Sequence, residues 1–147
     1  MNKFFLTLIA ACLFAVAGAS QAMKVKKPSA AKAEEVGNRN PVKLKDASPI
    51  VGTWILVEVA PRYTGERIPE NRTWEFRPDG TLKTSGYNRH FKRNDEQEFH
   101  YEIKNGNIVT DVPGRPGKTL IYRIYDLGDG TMVLQGGVEG FYFFKRK

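Results

Sequence analysis

Cysteine occurs once in these 147 residues, at Cys12, inside an apolar N-terminal run. Beyond it there is none, which excludes disulfide staples, thiolate metal sites and a cysteine nucleophile. The stability of the remaining chain must come from a packed core. Histidine is nearly as scarce, at His90 and His100 only, and the sole serine after residue 48 is Ser85. No nucleophile elbow surrounds that serine, so a serine–histidine–acid triad has no support. A lone histidine without a partner at ligand spacing does not make a metal site either. No catalytic residue, cofactor or metal is expected. Helical periodicity is missing as well.

Long apolar runs are also absent. The longest, Phe4 to Ala17, covers about 14 residues, short of the roughly 20 that a spanning helix needs. Lys3 precedes it and the small residues Gly18-Ala19-Ser20-Gln21-Ala22 follow. A short cationic region, an apolar stretch and small side chains form a secretory signal pattern. The expectation is a cleavable signal over 1–22, cut after Ala22 or alternatively after Ala19. The mature chain would then be periplasmic or extracellular, with no transmembrane segment. Ile9-Ala10-Ala11-Cys12 resembles a lipobox, but the apolar run continues past the cysteine, where a lipoprotein should turn polar. Lipidation at Cys12 is the lesser alternative.

The net charge of +7 is unevenly spread. Residues 23–48 carry seven Lys/Arg against three acids, and residues 49–147 carry fifteen against thirteen. Nucleic-acid binding wants a basic face on the folded part, and none is evident. Residues 23–48 hold no aromatic and few large aliphatics, too little to offset the cost of ordering. They read as a flexible basic tether, and residues 49–147 as one domain.

All fourteen aromatics after the signal lie in 50–147, in short β-rich runs. Asp79-Gly80, Asn105-Gly106 and Asp129-Gly130 separate alternating stretches, and such pairs are the strongest short hairpin signal. The spacing predicts eight strands joined in sequence by short turns. An up-and-down barrel or a two-sheet sandwich would satisfy that pattern. The barrel is favoured, because closure removes exposed edges. The inward set is Trp54, Leu56, Trp74, Phe76, Leu82, Phe99, Tyr101, Ile103, Leu120, Tyr122, Ile124, Met132, Leu134, Phe141 and Phe143. His100 takes the opposite face with Glu96, Glu98 and Glu102, as a solvated stripe.

Gly52-Thr53-Trp54 at the start of the first strand, with Lys145 and Arg146 closing the last, resembles the lipocalin-like domains of the calycin group. The hairpin at 76–81 is similar to a turn of short bacterial members. The resemblance implies that Trp54 seals one end of an eight-stranded antiparallel barrel and that a cation from the final strand packs across it. A Thr-Asp-Tyr segment and a C-terminal helix, both found in typical lipocalins, are missing.

The loops after strands one, three and five open at the same end of such a barrel. They bring Arg62, Tyr63, Arg67, Arg89, His90, Phe91, Lys92, Arg93, Arg115 and Lys118 to one rim. A cationic rim with aromatic tips points to a non-catalytic, monomeric protein that binds a small hydrophobic or amphipathic, anionic molecule at the barrel mouth. The alternative is an envelope protein-interaction or inhibitor module that uses the same loops over a solid interior.

Overall fold

Turn chemistry sets the topology. At the tight hairpin between the second and third strands, the Asp79 carboxylate accepts a hydrogen bond from the Thr81 amide at 2.9 Å, and Gly80 takes the positive φ that the turn needs. The computed structural model describes residues 40–147. The signal segment, Cys12 and the tether up to residue 39 lie outside the described residues.

Eight strands follow one another: β1 (Gly52–Ala60), β2 (Ile68–Phe76), β3 (Thr81–Asn88), β4 (Arg93–Lys104), β5 (Asn107–Asp111), β6 (Thr119–Gly128), β7 (Thr131–Gly136) and β8 (Gly140–Arg146). Each pairs antiparallel with its neighbours, and β8 returns to β1 to close the barrel. No helix among the described residues is long and apolar enough to cross a membrane. Closure gives every strand a neighbour on both sides, although β4 meets β5 only over Tyr101–Lys104 and its stretch 93–100 pairs with β3 alone.

The interior is aromatic. Trp54, Trp74, Phe76, Tyr101, Tyr122, Tyr142 and Phe144 are buried together with Leu56, Leu82, Ile108, Ile124, Met132 and Leu134. Trp74 packs against Phe76, Tyr122, Tyr142 and Phe144, with ring centroids 5.1–6.2 Å apart. Phe99, Ile103 and Leu120 also face in but stay half-buried.

The last strand corrects the sequence reading. Phe141 and Phe143 were expected inside, yet Tyr142 and Phe144 point in, opposite Leu134 and Met132. Four consecutive aromatics, residues 141–144, carry no alternation, so the pattern cannot choose a phase. A one-residue shift exchanges the two faces. The outward pair is covered rather than wasted. Tyr63, from the β1–β2 loop, lies over Phe141, Phe143 and Tyr125 at centroid distances of 5.8, 5.9 and 4.6 Å.

A second difference concerns the tether. Its described end is attached to the barrel: Val42 bridges Ile124, and Leu44 and Ile50 are buried. The last β5–β6 pair toward this end is Ile108↔Tyr122, so β6 runs on past β5 and Val42 takes the partnerless position. Residues 42–48 of the expected tether are therefore held against the barrel.

The closed end follows the expected arrangement. Arg146 places its guanidinium carbon 4.5 Å from the Trp54 ring centroid and donates to the Pro49 carbonyl at 3.0 Å. Lys145 alternates to the outer face, exposed, so Arg146 alone is the packing cation.

Candidate binding cavity

Loops after β1, β3, β5 and β7 emerge at the end opposite Trp54, and there the interior is not filled. A cavity of about 380 Å³ opens between them. Its apolar wall is Leu56, Val59, Trp74, Phe99, Leu120, Tyr122 and Tyr142. This explains why Phe99 and Leu120 face inward yet stay only half-buried. Burial pushes the Tyr122 hydroxyl well up, with Tyr142 adding to it, and burial likewise raises Tyr142. Both phenols are therefore neutral hydrogen-bonding groups at any working pH.

Polar groups occupy fixed places in this wall. Arg72 lies in phase with Trp74 and Phe76 on β2 and is buried. Its guanidinium meets Asp95 at 2.7 Å, the Gly86 carbonyl at 3.2 Å and the Thr84 hydroxyl at 3.3 Å. Gly86 is required here. A Cβ at that position would stand 2.9 Å from the Asn71 carbonyl oxygen, with φ at +121°. Burial opposes ionisation of Asp95, but hydrogen bonds from Arg72 and Asn88 and the charges of Arg72 and Arg93 outweigh it and hold its carboxyl below the ordinary range. Thr110, also buried, turns a hydroxyl into the wall that has no hydrogen-bond partner.

At the mouth, one arginine joins three elements. Arg89 pairs with Glu70 of β2 and, at 2.6 Å, with Glu139 of the β7–β8 loop. His90 Nε2 reaches the other Glu139 oxygen at 2.6 Å. Burial works against the Arg89 charge, yet the two carboxylates raise its pKa overall. The β7–β8 loop is fastened from below as well, because the Tyr142 hydroxyl accepts hydrogen bonds from the Val138 and Glu139 amides, both at 3.0 Å. Tyr142→Phe removes that acceptor and frees two partly buried N–H groups. We expect a stability loss of about 1–3 kcal/mol in urea unfolding and faster hydrogen exchange at Val138 and Glu139. Unchanged exchange there would show that the loop is held by other contacts.

The rim inferred from sequence divides in two. Arg89, His90 and Phe91 do line the cavity. Lys92, Arg93, Arg115 and Lys118 are exposed near the mouth without lining it. Arg62 is exposed in the β1–β2 loop. Tyr63 and Arg67 belong to the outer wall: Arg67 stacks over Phe143, its guanidinium carbon 3.3 Å from the ring centroid, and lies 3.7 Å from Glu58. The loop folds back because the outward phase of β8 offers it an aromatic surface. Glu70, Arg72, Thr84, Asp95, Gln97, Thr110, Val138 and Glu139 were not among the expected site residues. For Arg72, Thr84 and Gln97 a signal existed, since each shares the inward phase of its strand. The acidic stripe does face outward, with Glu96 on Lys83 and Glu98 on Arg77, and His100 is exposed.

A closed up-and-down barrel, capped by a tryptophan at one end and hollow at the other, is a lipocalin-like arrangement. Residues 50–134 match the family model described as lipocalin-like domain, and the chain belongs to that family. Its members are generally non-catalytic binding proteins. The fold is shared with a lipocalin-like protein from Bacteroides uniformis ATCC 8492, known from a crystal structure, at 16% identity and a TM-score of 0.52, covering 67% of this chain and 99% of that one. No curated protein matches the chain.

Proposed function

We propose that this is an exported, non-catalytic binding protein that holds one small, largely apolar molecule in the mouth of its barrel. The observation that supports this reading is the cavity of about 380 Å³ with its wall of aromatic and aliphatic side chains. That volume falls at the small end of ligand pockets, roughly 300–1,000 Å³. A solid barrel acting only through its loops would offer no such space, so the protein-interaction reading loses its main premise.

The charge of the ligand follows from the pairs at the site. Free cations in the cavity wall would favour an anionic molecule. In the cavity, Arg72 is matched by Asp95, and Arg89 by Glu70 and Glu139. Neither cation is available without stranding a carboxylate. A carboxylate ligand would add a like charge near Glu70, Asp111 and Glu139, all lining residues. An uncharged molecule that offers a hydrogen bond to the Thr110 hydroxyl suits the wall better. Calorimetric titration with naphthylmethanol and naphthoate tests this. The alcohol should bind, the carboxylate at least about tenfold more weakly, and Leu120→Trp, which puts a larger ring into the cavity wall, should weaken both. Tighter binding of naphthoate would reverse the charge assignment, and indifference to Leu120→Trp would place binding elsewhere. Export is tested separately by intact mass: a chain beginning at Met23 is expected, a lipid-modified Cys12 terminus would move the cleavage site, and an uncut chain beginning at Met1 would overturn export.

A further inference from the structure

We propose that the mouth of the barrel docks on an anionic lipid bilayer, with Phe91 and Val138 inserted among the head groups. These are the two most exposed large apolar side chains among the described residues, at 60% and 77%. Scattered single apolar residues on a surface need no explanation, but these two are held together. Phe91 follows His90 in the β3–β4 loop, and Val138 precedes Glu139 in the β7–β8 loop. The His90–Glu139 and Arg89–Glu139 contacts, both 2.6 Å, clasp the two loops at the residues next to the apolar tips. The Tyr142 hydroxyl fixes the Val138 amide. Lys92 takes a left-handed backbone, φ 52°, and makes the turn beyond Phe91.

The surroundings of the pair are cationic. Lys92, Arg93, Arg115 and Lys118 are exposed at this end, and none forms an ion pair among the described residues. Glu70 and Glu139 are engaged by Arg89 and His90, which leaves Glu66 and Asp111 as the exposed acids of these loops. Two side chains make too small an apolar patch for a stable protein partner, which buries about 800 Å² per side. Apolar tips backed by several cations fit the interface of an anionic membrane, where insertion reaches roughly 5–10 Å. Docked this way, the cavity opens onto the bilayer, and an apolar molecule would pass between lipid and barrel without crossing bulk water.

Co-sedimentation of the full chain with vesicles tests the surface, using phosphatidylcholine alone and phosphatidylcholine mixed with phosphatidylglycerol. Binding is expected on the mixed vesicles, weaker on the neutral ones, and falling as salt rises. Phe91→Asp with Val138→Asp should weaken it roughly tenfold or more. Lys92→Glu with Arg93→Glu, both at exposed positions, should weaken it by about fivefold or more. Every variant keeps the apolar run of residues 4–17. Binding that survives both pairs of substitutions belongs to that run or to the basic segment 23–39 and overturns the proposal, as does absence of binding or indifference to phosphatidylglycerol. Ligand titration without vesicles reads the cavity independently. A protein that takes ligand but no vesicle refutes docking alone, and one that takes vesicles but no ligand refutes only the cavity assignment.

Discussion

Asp95→Ala is expected to cost the barrel about 3–5 kcal/mol at neutral pH, because it leaves the Arg72 guanidinium buried without its counter-charge. The side chains of the pair are only 11% and 10% exposed. What remains for Arg72 is one carbonyl and one hydroxyl, at 3.2 and 3.3 Å, neither of which carries charge. Replacing both partners by apolar residues, Arg72→Met with Asp95→Leu, should recover most of the loss, since no uncompensated ion is then left inside. The pH dependence has a definite sign. The folded carboxyl of Asp95 titrates below its ordinary 3.8, so its stabilisation is fully present above that value and disappears as pH falls through the lower folded value. Urea midpoints should therefore fall less steeply in the double variant than in the wild type below about pH 4. A loss under about 1 kcal/mol for Asp95→Ala would mean that water reaches the pair, and that the cavity wall is wetter than its burial indicates.

The strands were legible because their turns are written in Asp-Gly and Asn-Gly pairs and because Arg72 to Phe76 and Glu98 to Ile103 alternate strictly. Where alternation failed, so did the reading. Residues 141–144 are all aromatic, and the choice of inward face was made by the pairing with β7 and by Tyr63 and Arg67 arriving from a loop. That arrival could not be foreseen with Phe141 and Phe143 assigned to the core, and the rim placement of Tyr63 and Arg67 followed from it. Bulges add to the difficulty. The register shifts between Leu56 and Glu58 and between Ile124 and Asp126, so Val59 and Leu127 face in against a strict count of two.

The candidate site was legible by end but not by residue. Counting hairpins correctly placed the β3–β4 and β5–β6 loops at the open mouth. Ion pairing between Glu70, Arg89 and Glu139 joins residues far apart in sequence and leaves no local signature, so cations that are matched looked free. Arg72 is different: its phase was visible, and an arginine in step with Trp74 and Phe76 signals either a broken strand or a buried pair. The partner, Asp95, lies in step with Gln97 and Phe99 at the start of β4. Segment 42–48 reads as tether for want of aromatics, although Val42 bridges Ile124 and Leu44 is buried.

Trp54→Ala should be comparably costly, about 3–5 kcal/mol, but at the opposite end and for a different reason. Trp54 is 1% exposed and is a junction as well as a filler. Its indole N–H donates to the Ile50 carbonyl at 2.8 Å, while Arg146 covers the ring and holds the Pro49 carbonyl. Truncation thus opens a void and also releases the segment that lies over this end, with Leu44 and Ile50 on it. Hydrogen exchange should rise at Leu44, whose amide is bonded to the Gly106 carbonyl at 3.2 Å, and at Ile50, bonded to Ala47 at 2.9 Å. Arg146→Ala removes only the exposed cation–π contact and one hydrogen bond, and should cost about 1 kcal/mol. Trp54→Phe separates packing from fastening: it keeps most of the volume, loses the indole donor, and should free the segment at a loss of about 1–2 kcal/mol. Trp54 does not line the cavity, so the affinity of Trp54→Phe for naphthylmethanol should match that of the wild type. A weakened affinity would mean that the sealed end and the open mouth are coupled through the packed rings of Trp74, Phe144 and Tyr142, and that the barrel answers its ligand as one body.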